Sequence, residues 1–286
     1  MKKILALIPG AFFCVTVSAQ TDQALATARY TLTHVSDTTQ PEKPLVQKFI
    51  LYLGSSMSRY ANDMQNGPGG NIVSLGALRN VTTTGVGNIQ AVSVPAGDMK
   101  NWQLANSYIK LSAENRLSYL AMAGMKLFSV EEPAPAIDWA IAPDTRQIMG
   151  MPCQKANGRF KGRDYEAWFA AQLPYSNGPW KLGGLPGLIL EAYDTKKEVV
   201  FTLTEFKAVK DTAIEIAIPA TAIKTTPKEY KQYREALMQQ VAAGGVTDVA
   251  AGTLRFSGTV SGGITSAGQA TRPRQFNNPI EKEEKN

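Results

Sequence analysis

The stretch GPWKLGGLPGLILEAYD, residues 178–194, decides the fold, because it places four glycines and two prolines directly before a run of aliphatic residues. Proline fixes the backbone φ angle and lacks a donor, whereas glycine permits φ > 0 or close approach of another chain segment. Residues 178–187, the glycine-proline loop, are therefore predicted to form a turn that leads into a strand at 188–193. We expect Trp180 and Leu185 to attach this turn to a sheet. A phosphate-binding loop would instead be followed by a helix. The loop could bind a ligand as well as direct the chain into the strand.

The sequence around this loop predicts further β-strands. Residues 188–193 and 198–206 flank a polar turn and form the clearest hairpin signal. Alternation of apolar and polar residues, interrupted by Pro, Gly or Asp, predicts the other strands. These lie at residues 26–34, 45–53, 55–62, 119–131, 137–143, 146–155, 165–173 and 214–218.

One helix is predicted near the C-terminus. Thr226 and Glu229 form a capping box, and Pro227 occupies the first helical position. The apolar stripe of the helix, over about residues 227–242, consists of Tyr230, Tyr233, Leu237 and Val241. Because strands follow one another without βαβ alternation, we predict a mainly β fold: a curved antiparallel sheet or incomplete barrel with one C-terminal helix.

The chain divides into three predicted regions. Residues 1–19 have two lysines, an apolar centre and a small-residue end, which are typical of a secretory signal peptide. Residues 20–243 are expected to form a single β-rich domain, interrupted by a Gly-rich excursion at 64–98. Residues 244–286 are rich in Gly, Ser and Thr before a polar end, and we expect a flexible tail outside the core.

Charge and cysteine content limit the function classes. The formal net charge of +6 falls to +4 once Lys2 and Lys3 leave with the signal, which gives little support to nucleic-acid binding. Cys14 also leaves, so that Cys153 is the single thiol and is expected in the core. No later segment is apolar over 18 residues, so we expect no transmembrane helix after signal removal. The expected location is the periplasm or the outer-membrane surface.

Residues that could carry catalysis are scarce. His34 is the only histidine, which excludes two-histidine metal sites, and we expect it to be solvated or locally hydrogen-bonded at a strand edge. No serine lies in a G-x-S-x-G motif. The carboxylates near predicted strands are expected to be solvated at strand edges, although paired acids could support hydrolysis. They are Asp138, Asp164, Glu166, Glu191 and Asp194. No metal or cofactor is predicted.

The four tryptophans suggest a second kind of site. Trp102, Trp139, Trp168 and Trp180 could line a ligand groove, although core packing is the more common role of tryptophan in β-rich proteins. We select Trp168 and Trp180, with Arg163 and Tyr165, as candidate ligand-binding residues on the concave face of the sheet.

Residues 153–194 contain a distinctive series of motifs. These include CQKA from Cys153, GR at Gly162, AWF from Ala167, GPWK from Gly178 and the hexapeptide GLPGLI at 184–189. The chain resembles the GLPGLI family, named for that hexapeptide (Gly184, Leu185, Pro186, Gly187, Leu188, Ile189). Residues 277–281, NNPIE, are similar to the end that many members share. The resemblance implies an exported protein of Bacteroidetes-type bacteria without an established activity, so it assigns no catalytic residue.

Because no catalytic set is evident, we expect a non-enzymatic binding protein. Its ligand would be a peptide, a protein segment or a hydrophobic molecule, and its partner an outer-membrane or periplasmic protein. Two alternatives stay open: a carboxylate-based or metal-dependent hydrolase, and a structural component of an outer-membrane assembly.

Overall fold

The computed structural model describes residues 21–63, 104, 106–124, 126–210, 213–242 and 276–282. The predicted signal peptide, the excursion at 64–98 and most of the predicted tail lie outside the described residues.

Fourteen strands and one complete helix occur within these described ranges. The strands are β1 (Thr21–Gln23), β2 (Ala26–His34), β3 (Leu45–Leu53), β4 (Met57–Asn62), β5 (Ser107–Leu111), β6 (Arg116–Ala123), β7 (Lys126–Pro133), β8 (Ala140–Ile148), β9 (Met151–Phe160), β10 (Arg163–Ala170), β11 (Leu188–Asp194), β12 (Val199–Ala208), β13 (Glu215–Ala217) and β14 (Ile223–Thr225). Helix α1 spans Pro227–Ala242.

Twelve of the strands form one sheet, in the order β14-β7-β6-β5-β4-β3-β2-β12-β11-β10-β9-β8. Neighbouring strands are antiparallel except β14 and β7, which are parallel. Strands β1 and β13 form a separate antiparallel pair. The prediction of a mainly β fold is confirmed: the large sheet is curved and open, because β14 and β8 are its two edges and do not meet.

Much of the largest core lies on one face of this sheet, here called the inner face. Side chains alternate between the two faces of a strand, and cross-strand partners share a face. Phe201 pairs with Leu32 and Ala192, and Ala192 pairs with Ala167, so these four buried residues lie on the inner face. The glycine-proline loop covers them, because its residues Trp180, Leu182 and Leu185 belong to the same core cluster.

Two smaller clusters complete the core. Helix α1 packs Tyr230, Tyr233 and Leu237 against β6 and β7. On the opposite face, a cluster around Ile109 and Leu120 includes Ile216, which comes from β13. The small β1–β13 pair therefore covers apolar surface that one end of the large sheet would otherwise expose to water.

The glycine-proline loop leads into strand β11, as predicted. Gly184 has φ +90°, a conformation that favours glycine. Gly187 meets a different requirement, because a Cβ atom there would lie 2.4 Å from the carbonyl oxygen of Ala170. Trp180 also adopts φ +56° and stacks on Phe201 with 6.3 Å between ring centroids. The loop is thus a closely packed cover over the sheet.

Several predicted boundaries need correction. The apolar run 119–131 is two strands, β6 and β7, joined by a turn at Gly124, which has φ +61°. The predicted strands 137–143 and 146–155 are instead the hairpin of β8 and β9, which turns at Met149 and Gly150. Strand β5 and the small strands β1 and β14 were not predicted. The helix and the hairpin of β11 and β12 are confirmed.

Residue Asp22 connects β1 to the turn between β3 and β4. Burial alone would raise the pKa of its carboxyl, but the N–H groups of Ser56, Met57 and Gln23 donate to it and lower the pKa to about 2. The side-chain hydroxyl of Ser56 donates to the same carboxylate. The charged form of Asp22 is therefore the one that stabilises the fold.

We predict that Asp22→Asn destabilises the protein by about 1 kcal/mol at neutral pH, since the site is partly open to solvent. The folded pKa of Asp22 is depressed, so its contribution is present above the ordinary pKa of 3.8 and is lost as the pH falls through about 2. Urea titrations between pH 6 and pH 2 measure this: the difference between the wild type and the variant should shrink toward acid. A difference independent of pH would contradict the assignment.

Candidate binding site

Arg163 lies at the first position of β10 and is 3 % exposed. Two residues of positive φ, Lys161 and Gly162, form the tight turn that returns the chain from β9 into β10. Carboxylates fix the guanidinium: Nη1 donates to Asp194 Oδ2 at 2.5 Å and to Glu198 Oε2 at 3.0 Å. Both acids lie at the turn that joins β11 to β12, so the sheet holds the buried cation in one orientation.

Residues 276–282, here called the C-terminal segment, contact the remaining donors of Arg163. Nη2 donates to Asn278 Oδ1 and to the Pro279 carbonyl, each at 2.7 Å, and Nε donates to the Ile280 carbonyl at 3.0 Å. An arginine has five N–H groups, and Arg163 makes five hydrogen bonds. Three of them are to this segment.

The expectation that the chain beyond residue 243 lies outside the core is wrong for this segment. Asn278 is 3 % exposed, and Ile280 packs against the largest core cluster. The main-chain N–H groups of Asn277 and Asn278 both donate to the Ser36 carbonyl, at 3.1 and 3.2 Å. The side-chain amide of Asn278 donates to the Val35 carbonyl at 2.7 Å. Hydrogen bonds and packing thus fix the segment against the sheet.

His34 contributes to the same site. Of the two predicted alternatives, solvated or locally hydrogen-bonded, the first is wrong because His34 is 6 % exposed. The residue is hydrogen-bonded, but to a distant part of the chain: its Nε2 donates to the Asn278 carbonyl oxygen at 2.7 Å. Burial lowers the pKa of His34 below its ordinary value, and the charge of Arg163 acts in the same direction. A neutral imidazole that donates from Nε2 therefore forms one wall of the site.

The far end of the C-terminal segment is bound through charges and backbone. Glu281 accepts from Lys181 Nζ at 2.8 Å, and the main-chain N–H of Lys282 donates to the Lys161 carbonyl at 3.0 Å. A Cβ atom on Gly162 would lie 2.8 Å from Cβ of Lys282. The turn before β10 consequently admits the segment only because glycine occupies this position. We call the surface formed by Arg163, His34 and their neighbours along the segment the Arg163 site.

The four predicted ligand-binding residues do not form one surface. Trp180 stacks on Phe201 within the inner-face core. Trp168 pairs with Glu191, and Glu191 pairs with Thr202, so these three side chains share one face. Thr202 follows Phe201 in β12, and successive side chains of a strand point to opposite faces. Trp168 therefore lies on the face opposite the inner face. Arg163 lies at the C-terminal segment, and the buried Tyr165 follows two residues later on the same strand.

Trp168 belongs to the largest core cluster and also contacts a group of charged and polar side chains. The guanidinium of Arg146 lies 4.2 Å from the centroid of its ring, and its Nε1 donates to Glu166 Oε1 at 3.0 Å. Glu166 also accepts from the Tyr193 hydroxyl and pairs with Lys155 at 2.9 Å. Burial would raise the pKa of Glu166, but these partners outweigh it and lower that pKa. The carboxylate is a charged acceptor rather than a proton donor.

The other candidate carboxylates are mostly paired. Glu191 pairs with Arg146 at 2.7 Å, and Asp164 pairs with Arg159 at an exposed position. Asp194 differs from the expected solvated edge residue, since it is buried against Arg163. Asp138 is exposed. Within the described ranges, no group of three or more His, Cys, Asp or Glu side chains is placed to hold a metal ion.

Cys153 is buried, as expected of a core residue. Burial raises the pKa of its thiol, which disfavours the reactive thiolate.

Comparisons with known proteins cover different parts of the chain. The family described as "Protein of unknown function (Porph_ging)" matches residues 159–191, which contain Arg163, β10 and the glycine-proline loop. No curated protein sequence matches the chain. In the part of the chain that the structure describes, no helix is both long and apolar enough to cross a membrane.

Among solved structures, the chain is similar to "Structure of PNGF-II in C2 space group", with 15% identity and a TM-score of 0.48, over 77% of this chain and 33% of that one. The structure of PNGF-II in space group P21 gives the same identity and TM-score, over 77% of this chain and 34% of that chain. The chain thus spans about a third of the length of these structures. In sequence, the chain is similar over residues 159–191 to a family of unknown function.

Proposed function

We propose that this protein is an exported, non-enzymatic binding protein that recognises an extended protein segment at the Arg163 site. The observation that carries the proposal is the buried guanidinium of Arg163. It donates three of its five hydrogen bonds to residues 278–280. Two of these three acceptors are main-chain carbonyls, which any extended segment supplies. The third is a side-chain amide, which adds a preference for asparagine.

The geometry of the site favours a protein ligand over a free small molecule. Its donors and acceptors follow the main chain of the bound segment: Ser36 and Lys161 accept from backbone N–H groups, while Arg163 and His34 donate to carbonyls. Peptide-binding sites commonly combine main-chain hydrogen bonds with a pocket for one side chain. In this structure the protein's own C-terminal segment occupies the site.

The proposed location and family rest on sequence features. The signal-like residues 1–19 support export, and the GLPGLI hexapeptide with the NNPIE end supports membership of the GLPGLI family. We propose the periplasm or the outer-membrane surface as the location.

A labelled peptide with the sequence of residues 275–283, QFNNPIEKE, tests the function. Wild-type protein should bind this peptide at least tenfold more weakly than the Asn278→Ala variant, because the intact segment competes for the site in the wild type. Fluorescence anisotropy measures both affinities. Phe276→Ala is the matched control: Phe276 is 76 % exposed in the same segment, so this variant should behave as wild type.

Two further measurements make this experiment decisive. Adding Arg163→Lys to the Asn278→Ala variant should abolish peptide binding, because lysine cannot supply the same set of donors. A peptide with alanine in place of the second asparagine should bind at least tenfold more weakly. If folded Asn278→Ala protein binds neither peptide, or both equally, the proposed function is wrong.

A further inference from the structure

A small polar pocket lies on the inner face, between strands β3–β6 and the glycine-proline loop, with a volume of about 20 Å³. About 10–15 Å³ is enough for one water molecule, so the enclosed part of this pocket has room for little more than one oxygen-sized group. Its lining includes Ser58, Tyr60, Lys110, Pro135, Asn177 and Gly183.

Tyr60 brings an unsatisfied donor to this pocket. The residue is 4 % exposed, and its hydroxyl has no hydrogen-bond partner among the described residues. Its ring stacks on Phe49 with 4.8 Å between centroids, which fixes the direction of the side chain. Burial raises the pKa of Tyr60 well above its ordinary value, so the hydroxyl keeps its proton. A buried hydroxyl without a partner costs about 1–3 kcal/mol, which a bound acceptor would recover.

Lys110 brings a positive charge to the same pocket. Its Nζ donates to the Ser176 carbonyl at 3.1 Å. Among the described residues, no carboxylate forms an ion pair with Lys110. Burial lowers the pKa of Lys110, as expected of an ammonium group that lacks a nearby carboxylate. A bound anion would supply the missing counter-charge.

The sheet places a third donor beside these two. Ser58 is the cross-strand partner of Lys110, and Tyr60 is the partner of Tyr108, so all four side chains are on one face. The Ser58 hydroxyl accepts from Asn177 Nδ2 at 2.7 Å, which leaves its own proton available for donation.

The glycine-proline loop is shaped to leave this space open. A Cβ atom on Gly183 would lie 3.1 Å from Lys110 Nζ, so a larger residue would crowd the ammonium group. The Trp139 indole donates to the Gly183 carbonyl at 2.8 Å and fixes the loop in this position. The glycine-proline loop thus forms a wall of the pocket in addition to its core contacts described above.

We propose that this pocket binds a single carboxylate group, held by the ammonium of Lys110 and the hydroxyls of Tyr60 and Ser58. The three groups are donors, which select an anion, and the volume admits one oxygen of the carboxylate. The rest of the ligand would extend past Lys110 and Pro135, which are among the partly exposed lining residues. This site is independent of the proposed binding of a protein segment.

Saturation-transfer NMR with formate as the probe tests this site on the full-length protein. Wild type should give a saturation-transfer signal, and Lys110→Met should reduce it at least fivefold. Lys224→Met is the matched control, because Lys224 is a largely exposed lysine on strand β14, and it should leave the signal unchanged.

Tyr60→Phe separates binding from folding, since it removes only the unpartnered hydroxyl. We expect this variant to remain at least as stable as wild type and to reduce the formate signal at least threefold. The absence of a signal in wild type, or equal signals in wild type and Lys110→Met, would overturn the proposal. Displacement of formate by an equal concentration of chloride would overturn the assignment to a carboxylate.

Discussion

Replacement of Arg163 by methionine is expected to lower the free energy of unfolding by about 3–5 kcal/mol, because it removes one partner of a buried charge pair. The substitution leaves the carboxylate of Asp194 and the side-chain amide of Asn278 buried without their shared donor. It also detaches the C-terminal segment from the guanidinium that binds it at three points. Urea denaturation followed by tryptophan fluorescence measures the loss.

Arg159→Gln is the control for this prediction. Arg159 lies on the neighbouring strand β9 and pairs with Asp164. The two side chains are 61% and 60% exposed. Exposed pairs contribute about 0–1 kcal/mol, so this variant should lose no more than that. Equal losses for Arg163→Met and Arg159→Gln would show that the buried network does not stabilise the fold.

Gly187→Ala is expected to cost about 3 kcal/mol and to lower the melting temperature by about 6–12 °C. The added Cβ would lie 2.4 Å from the Ala170 carbonyl oxygen and 2.8 Å from Cα of Ala171. Both are backbone atoms, so neither a side-chain rotation nor a small local shift can relieve the contact. Differential scanning calorimetry measures the change.

Gly150→Ala distinguishes this packing effect from a backbone effect. Gly150 has φ +74°, and no atom lies within 4 Å of an added Cβ. Alanine there meets only the cost of the left-handed conformation, about 1–2 kcal/mol. If Gly187→Ala costs no more than Gly150→Ala, the glycine-proline loop does not pack against the sheet as closely as described.

Local signals account for the parts of the fold that the sequence predicts correctly. The capping box at Thr226 and the proline at 227 mark the start of α1, and the polar turn after Asp194 marks the β11–β12 hairpin. Each signal depends on residues close together in the chain. The glycine-proline loop is predictable for the same reason, since its φ constraints are local.

Features that depend on distant residues escaped prediction. The turn at Gly124 lies within an apolar run that reads as one strand, and only the pairing of β6 with β7 reveals it. Strand β8 crosses Pro143 because it is an edge strand, where a missing N–H donor is tolerated. The β1–β13 pair joins residues about 190 positions apart, which no local pattern indicates.

The candidate site was only partly predictable. Arg163 was selected from its motif, but its partners lie more than 100 positions away, at Asn278 and Pro279. The polar composition around the C-terminal segment is typical of a tail, so the sequence did not indicate that Asn278 is buried. Trp168 and Trp180 were grouped because both are aromatic, whereas strand register places Trp168 on one face of the sheet and Trp180 stacks on Phe201 at the other.

The most direct test of the Arg163 site is hydrogen–deuterium exchange of the C-terminal segment in full-length protein. The amides of Asn277, Asn278 and Lys282 donate to carbonyls of the sheet and its turns, so they should be protected in wild type. In the Arg163→Lys variant these amides should exchange at least tenfold faster, while the amides of β11 and β12 remain protected. Rapid exchange of the segment in wild-type protein would contradict the binding site on which the proposed function rests.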